Sequence, residues 1–197
     1  MRLYDSSVSG NAYKVRLMLA HLGLAYERVE LSVVDRSNRP EVLGGKNPAL
    51  RIPVLELDDG TTLAESNAIL CYLADGTPYL PAGRLARARV LQWMFFEQYD
   101  HEPNIAVARF MLHYADSLDT DTVAAKQEGG RRALAAMERR FGDHDFLVGD
   151  GYSVADIALY GYTHVADEAG LDLDEFPGVA AWVGRVASQP GHVTIDS

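Results

Sequence analysis

The chain has 197 residues, of which 48% are hydrophobic and 23% are charged. These proportions are typical of a packed soluble protein and exclude a disordered or fibrous chain. The 28 acidic and 18 basic residues give a net charge of −10, which would repel the phosphates of nucleic acid and the headgroups of anionic lipid. We therefore expect neither nucleic acid nor a membrane as a partner.

The cysteine content indicates the compartment. A single cysteine, Cys71, excludes an intramolecular disulfide framework and a cysteine-rich zinc site. No stretch approaches the ~20 apolar residues of a membrane span, and the N-terminal sequence MRLYDSSVSG lacks the basic and apolar regions of a signal peptide. We therefore expect a cytoplasmic protein, in which Cys71 is a buried and inert thiol within a helix.

The chain up to residue 77 alternates short strands with helices. Residues 2–4 and 26–31 are predicted strands, and they flank a helix that ends at Gly23. Residues 51–57 and 62–64 flank an Asp-Gly turn, which predicts an antiparallel hairpin. A helix over 66–74 follows, with a predicted inner side of Ala68, Ile69, Tyr72 and Leu73. The predicted order is βαβ, then ββα.

The rest of the chain reads as helices alone. The prolines and glycines of residues 75–83 indicate a linker, so we predict one domain over 1–77, a linker over 78–84 and a second, all-α domain over 85–197. Pro103 predicts a bend in the first long helix of the second domain. A later helix is predicted to stop at Gly142.

The C-terminal part has the clearest local signal. Ser153 followed by Asp156 predicts a capping box at the start of a helix. We expect this helix to end at Gly170, and Pro177 to open the last helix. The second domain is therefore predicted to be a helical bundle.

Four separated segments together resemble the cytosolic glutathione transferase family over nearly the whole chain. They are LYDSSVSGNAYKVRLML, NPALRIPVLELDDG, AESNAILCYLA and GYSVADIALYGY. The resemblance implies an α+β N-terminal domain with a thioredoxin-like fold and an all-α second domain. It also implies glutathione as the co-substrate, a role in detoxification and a homodimer with each glutathione site near the subunit boundary.

The glutathione site is expected at the ends of helices, because helix N-termini favour anions. Ser66 opens the predicted third helix, and the resemblance implies that Glu65 and Ser66 grip the γ-glutamyl end of glutathione. It also implies a cis peptide bond before Pro53, which turns the backbone of Ile52 toward the cysteinyl unit of the ligand. The simpler alternatives are a plain helix cap for Ser66 and an edge-strand proline for Pro53.

A basic residue is expected to contact the glycyl carboxylate of glutathione. The resemblance favours Arg39, which lies fourteen residues before Pro53, and Lys46 and Arg51 are nearby alternatives. An exposed arginine is more often simply solvated, so the residues alone do not decide between these three.

The central chemical task is to keep the sulfur of glutathione as thiolate, because the thiolate is the nucleophile. One charge-assisted hydrogen bond, worth about 1.5–3 kcal/mol, is enough to lower the thiol pKa by one or two units. Alignment of the KVR segment with serine-using classes of the family favours Ser9 as the donor, and Asn11 is the alternative. Both residue types also serve as ordinary helix caps.

The second substrate is expected near the first long helix of the helical domain. We predict an open electrophile pocket there, although most of its apolar residues are expected to be core. The candidates are Tyr99, Asn104, Ala108, Arg109 and Met111. His101 between two acidic residues does not predict a metal site, because consecutive helical residues cannot all face one ion.

Three functions remain open at this level. The leading one is conjugation of glutathione to small electrophiles with Ser9 as the thiolate donor. The second uses the same site for glutathione-dependent reduction of hydroperoxides or disulfides, with Asn11 as the donor. The third is a protein that binds glutathione without catalysis. No metal is expected in any of the three.

Overall fold

Two units make up the computed structural model, which describes residues 1–149 and 151–197. One unit is Met1–Asp75 together with Pro190–Ser197, and the other is Gly76–Gln189. The break after residue 75 lies close to the boundary placed at residue 77. The C-terminal segment departs from the prediction, which assigned the whole of 85–197 to the helical domain.

A mixed four-stranded sheet forms the centre of the first unit as described. Its strands are β1 (Arg2–Asp5), β2 (Glu27–Glu30), β3 (Val54–Glu56) and β4 (Thr62–Ala64). Their spatial order is β2-β1-β3-β4, in which β1 runs parallel to β2 and antiparallel to β3. The antiparallel β3–β4 pair is the predicted hairpin. The predicted βαβ-ββα order and the thioredoxin-like fold are therefore confirmed.

Helices α1 (Gly10–His21) and α3 (Ser66–Ala74) pack against each other. The buried side of α3 consists of Ser66, Ile69, Leu70, Leu73 and Ala74. The predicted inner side was wrong at Ala68 and Tyr72, which are exposed, because α1 covers the neighbouring stripe of the helix. Cys71 is half-buried rather than buried.

A short helix that the sequence did not predict, α2 (Arg39–Leu43), lies between β2 and β3. Its Leu43 is fully buried and packs with Tyr4, Leu31 and Val54. Helix α2 contains only five residues, which is too short to give a clear apolar repeat.

The second unit is all-helical, as predicted. It contains α4 (Arg84–Phe96), α5 (Glu102–His113), α6 (Thr120–Phe141), α7 (Val154–Thr163) and α8 (Pro177–Ala187). A π-helical turn over Glu97–His101 separates α4 from α5, and Pro103 lies in the first turn of α5. The α-helix is thus interrupted just before Pro103, and the predicted end of α6 at Gly142 and start of α8 at Pro177 are confirmed.

The predicted capping box opens α7. The Asp156 carboxylate accepts hydrogen bonds from the backbone and the hydroxyl of Ser153, at 2.9 and 3.0 Å, and a third from the Trp182 indole at 3.0 Å. The prediction that this helix runs to Gly170 was wrong. It ends at Thr163, where the Thr163 hydroxyl and the His164 ring donate to carbonyls of the last turn.

The C-terminal segment Pro190–Ser197 is held on the first unit by side chains that reach its backbone carbonyls. The Tyr13 hydroxyl donates to the Val193 carbonyl at 2.8 Å, and the His21 ring lies 2.9 Å from the Pro190 carbonyl. Tyr13 is fully buried. The segment therefore belongs to this unit through specific hydrogen bonds and not through helical packing.

No helix within residues 1–149 and 151–197 combines the length and the apolar character that crossing a membrane requires.

Two histidines at the C-terminal segment, His21 and His192, are expected to make the stability of the fold sensitive to mild acid. Burial lowers the pKa of His21 below its ordinary value of 6.5, and burial together with the nearby His21 lowers the pKa of His192. The unfolded chain therefore takes up protons first as the pH falls, so stability is lost below about pH 6.5. We expect the urea concentration at the midpoint of unfolding to decrease when the pH is lowered from about 7 to about 5.5.

The same titration of the double variant His21→Gln/His192→Gln should show a shallower fall. His144→Gln provides the control, because His144 is exposed in the helical unit. An unchanged slope in the double variant would show that these two histidines are not the source of the acid sensitivity.

Candidate functional site

The N-terminus of α1 is capped by Ser9. The Ser9 hydroxyl oxygen accepts a hydrogen bond from the Ala12 backbone N–H at 3.3 Å, and the Ser9 N–H donates to the Ser6 carbonyl at 3.0 Å. Ser9 is thus the helix cap that its position indicated. A capping hydroxyl uses a lone pair of its oxygen, so its proton stays available for a further acceptor.

Asn11 links the first turn of α1 to the first residue of α3. Its Oδ1 accepts from the Lys14 ammonium at 2.8 Å and from the Ser66 hydroxyl at 3.3 Å. These two donors fix the orientation of the amide and place its N–H donors on the opposite side of the group. The N-terminal ends of two helices therefore meet at one polar cluster in the first unit.

Lys14 is a member of this cluster that sequence reasoning did not identify. It is fully buried, although it carries a positive charge. A buried ammonium beside the Asn11 amide adds positive potential where the two helix N-termini already favour an anion. The signal in the sequence is a lysine in the middle of a helix whose neighbouring residues Tyr13 and Val15 are apolar and buried.

The start of α3 is strained at Glu65. This residue has a φ of 69°, in the left-handed region that a residue other than glycine rarely adopts. Its exposed carboxylate does not cap the helix and forms no hydrogen bond or ion pair with the described residues. Strain of this kind often marks a ligand site, so Glu65 and the buried Ser66 form a candidate grip for a ligand that carries a cation and an anion.

The Ile52–Pro53 peptide bond is cis, as the resemblance implied. It lies just before β3, and Ile52 packs beside the small core of Tyr4, Leu43 and Val54. The backbone N–H and C=O of Ile52 form no hydrogen bond with the part of the chain that the structure describes. They are therefore available to pair with an extended ligand, in the manner of an added strand.

The three basic candidates have different surroundings. Arg39 is 5% exposed, and its guanidinium donates to the Leu50 carbonyl at 3.1 Å and the Ser32 carbonyl at 2.9 Å. These two bonds brace the loop before β3 and engage both terminal nitrogens of the Arg39 guanidinium.

Lys46 and Arg51 complete this comparison. The Lys46 ammonium pairs with the Glu56 carboxylate at 3.1 Å and lies over the Tyr4 ring. Arg51 is exposed, directly precedes Ile52, and its guanidinium has no ion pair or hydrogen bond among residues 1–149 and 151–197. Asn47 shapes the same loop, because its side chain bonds the backbone of Ala49 and Arg51. Arg51 is therefore the basic side chain best placed to receive an anion.

The five residues predicted for the electrophile pocket do not share one environment. Ala108 is fully buried, and the Arg109 guanidinium is held by the Glu168 carboxylate at 2.7 Å. Helix packing surrounds Ala108, and an ion pair within the helical unit engages Arg109.

The other three candidates differ as well. Asn104 donates to the Asp100 carbonyl and lies so close to Gly129 of α6 that a Cβ there would be 2.3 Å from its Oδ1. Tyr99 is 83% exposed, and Met111 is half-buried. Asn104 is thus a packing residue at the edge of a shallow depression, which it lines together with Asp100 and Arg132.

No group of three or more His, Cys, Asp or Glu side chains suited to a metal ion occurs among the residues described.

Comparison with known proteins gives matches to both units. Residues 8–75 match the family model described as glutathione S-transferase, N-terminal domain, and residues 99–190 match that of the C-terminal domain. Among solved structures, a glutathione S-transferase from Pseudomonas fluorescens Pf-5 is 49% identical, with a TM-score of 0.95 and 98% of each chain covered. A structure of Ure2p in complex with glutathione is 25% identical, with a TM-score of 0.86, 96% of this chain covered and 90% of that one.

The curated relatives have diverse names. A maleylacetoacetate isomerase from Pseudomonas aeruginosa is 28% identical over 96% of this chain and 92% of its own length. The disulfide-bond oxidoreductase YfcG of Escherichia coli K12 is 29% identical over 91% and 87%. The Ure2 protein of Eremothecium gossypii is 27% identical over 97% of this chain, which spans 66% of the length of that protein.

Proposed function

Because this chain belongs to the glutathione S-transferase family, we propose that it binds glutathione and conjugates its thiolate to small electrophilic molecules. The observation that carries this proposal is the hydrogen bond of 3.3 Å between Ser66 and Asn11. It joins two helix N-termini, and each N-terminus favours an anion. One can receive the thiolate of glutathione and the other its γ-glutamyl carboxylate. The glutathione complex of Ure2p supports the choice of ligand.

Glutathione would be held along its length by groups from three segments. Glu65 would bind the ammonium of the γ-glutamyl unit, while Ser66 and the first N–H groups of α3 would bind its carboxylate. The backbone of Ile52, turned by the cis bond to Pro53, would pair with the cysteinyl unit. These local donors and charges offset the net charge of −10, which by itself disfavours an anionic ligand.

Ser9 would activate the sulfur. With its oxygen accepting from Ala12, its hydroxyl proton is free to donate to the thiolate at the N-terminus of α1. This donation stabilises the anion and lowers the thiol pKa by about one or two units from ~8.5. The thiolate sulfur then attacks the electrophilic carbon, a carbon–sulfur bond forms, and the leaving group departs with the electron pair of the bond that breaks.

A second candidate function is glutathione-dependent reduction of disulfides or hydroperoxides at the same site. Two hydrogen bonds hold Asn11 in a fixed orientation, which makes it a competing thiolate donor. The similarity to YfcG, which is named as a disulfide-bond oxidoreductase, supports this candidate.

The thiol pKa of bound glutathione distinguishes conjugation with Ser9 as donor from reduction with Asn11 as donor. In Ser9→Ala, the thiol pKa of bound glutathione should rise by about one to two units, because one charge-assisted donor is lost. In the matched variant Asn11→Ala it should change by less than about half a unit. Both are measured by the ultraviolet absorbance of the thiolate against pH, with conjugation and disulfide reduction assayed on the same preparations.

A larger rise of the thiol pKa in Asn11→Ala than in Ser9→Ala would assign the donor role to Asn11 and favour the reductase. Binding of glutathione without any depression of its thiol pKa in the wild type would favour the non-catalytic alternative.

The glycyl carboxylate of glutathione would be bound by Arg51. Arg51→Met should raise KM for glutathione about tenfold, since a charge-assisted contact is lost, and leave stability within about 0.5 kcal/mol. Arg39→Met should instead lower the free energy of unfolding by about 2 kcal/mol, because the carbonyls of Leu50 and Ser32 lose their donors. Steady-state kinetics and urea unfolding measure the two effects. A normal KM in Arg51→Met would return the role to Arg39 or Lys46.

The homodimer implied by the family is proposed to use the exposed side of α4 and of the π-helical turn that follows it. Leu91, Phe95 and Tyr99 follow at intervals of four residues, and they are 37%, 71% and 83% exposed. Large apolar side chains exposed along one side of a helix are typical of an interaction surface. A second copy of this chain is the partner that the family favours.

A charge in this surface should separate the subunits. Phe95→Glu should sediment as a monomer at a concentration at which the wild type is a dimer, because the glutamate must be desolvated in the interface. Leu118→Glu serves as the control, since Leu118 is 54% exposed and precedes α6. A dimeric Phe95→Glu variant would show that the interface lies elsewhere.

A further inference from the structure

Arg16 connects the N-terminal residues 5–7 of the first unit to its C-terminal segment, which is far away in sequence. Its side chain is almost completely buried. One terminal nitrogen donates to the Asp5 carboxylate at 3.1 Å, and the other reaches the Ser7 carbonyl at 3.4 Å and the Ile195 carbonyl at 2.7 Å. A single guanidinium thus contacts the end of β1, the loop before α1 and the C-terminal segment.

Arg28 repeats this arrangement from β2. Its guanidinium pairs with the Asp5 carboxylate at 2.7 Å and with the Glu30 carboxylate at 3.0 Å. It also donates to the Ser197 carbonyl at 3.2 Å. Each arginine therefore joins at least one acidic side chain to a backbone carbonyl of the segment Pro190–Ser197.

The two acidic side chains hold the loop that ends at Ser9. The Asp5 carboxylate accepts from the Ser6 N–H at 2.5 Å, and the Glu30 carboxylate accepts from the N–H and the hydroxyl of Ser7 at 2.8 and 3.1 Å. The Ser6 carbonyl in turn accepts from the Ser9 N–H at 3.0 Å. The position of Ser9 is set through this chain of contacts.

We propose that the C-terminal segment Pro190–Ser197, which we call the strap, orients the Ser9 hydroxyl. Arg16 and Arg28 are the positioning residues that transmit its effect. The guanidinium of arginine is a planar fork that can serve several acceptors at once. When the backbone oxygens of Ile195 and Ser197 are absent, each guanidinium loses an acceptor that fixes its position and can turn toward water or other acceptors. The carboxylates that hold residues 6–9 then shift with it.

This inference rests on the proposed role of Ser9 as thiolate donor. A hydrogen bond to sulfur depends steeply on distance and angle, so a small displacement of the loop weakens it. Glu65, Ser66 and Ile52, which would grip the rest of glutathione, form no hydrogen bond with the two arginines or the strap. Removal of the strap should therefore change the activation of the thiol more than the binding of glutathione.

The first test is a variant that lacks residues 190–197. We expect the thiol pKa of bound glutathione to rise by about one unit and kcat at neutral pH to fall about tenfold, with KM for glutathione within about twofold of the wild type. A merely structural role of the strap would not produce this division between kcat and KM. Circular dichroism establishes that the variant is folded.

Arg16→Lys is the second test, made in the complete chain. The lysine keeps a positive charge beside Asp5 but cannot reach Ser7 and Ile195 at the same time, so it should reproduce the higher thiol pKa. Arg36→Lys is the matched control, because Arg36 is exposed and its guanidinium donates to the carbonyl of Val33, three residues away. If the truncated variant does not fold, Arg16→Lys decides the question.

The outcomes distinguish the two proposals. A wild type without a depressed thiol pKa would overturn the proposed function. A depressed thiol pKa that stays at the wild-type value in folded Arg16→Lys would overturn the strap alone, as would a rise in KM without a change in kcat or thiol pKa.

Discussion

The buried carboxylate of Asp5 is the constraint on which the first unit depends. It lies at the end of β1, is fully buried and pairs with two arginines, one from α1 and one from β2. Burial raises the pKa of this carboxyl, and the charges of Arg16 and Arg28 oppose that rise. Removing one member of a buried pair leaves an uncompensated charge, which typically costs about 3–5 kcal/mol. The sheet, α1 and the loop before α1 are therefore held as one assembly.

The first unit also gathers hydrogen-bond donors and positive charge locally, although the whole chain is negatively charged. To bind glutathione as proposed, a protein with a net charge of −10 has to place positive charge and donors locally. The N-termini of α1 and α3 meet at Asn11, beside the buried ammonium of Lys14, while the Arg51 guanidinium is exposed near the cis-proline loop. Short-range donors outweigh the distant acidic residues, because solvent and salt screen the latter within about 10 Å.

The helical unit is stabilised by its own buried carboxylate. Asp156 accepts from the backbone of Leu147, the capping residue Ser153 and the Trp182 indole, so it ties the start of α7 to α8 and to the preceding loop. Burial raises its pKa, and these donors oppose the rise. In each unit, one buried carboxylate accepts hydrogen bonds from several elements. These bonds fix the positions of the elements relative to one another more firmly than packing alone would.

The sequence by itself determined what local patterns encode. The four strands, the helix over 66–74, the interruption of the long helix before Pro103 and the capping box of Ser153 and Asp156 follow from periodicity, turn residues and caps within a few positions of one another. The resemblance to a family added the cis bond at Pro53, and helix capping by Ser9 follows from the residue type and its place before α1.

Only the tertiary structure decided which polar side chains are free and which are occupied. Arg39 is engaged by carbonyls of two loops, Arg109 by Glu168, and Arg16 by a carbonyl 179 residues away in the chain. Hydrogen bonds between residues so far apart leave no periodic signal in the sequence. The assignment of the C-terminal segment to the first unit has the same cause, since side chains of that unit bind its backbone carbonyls, which every amino acid provides.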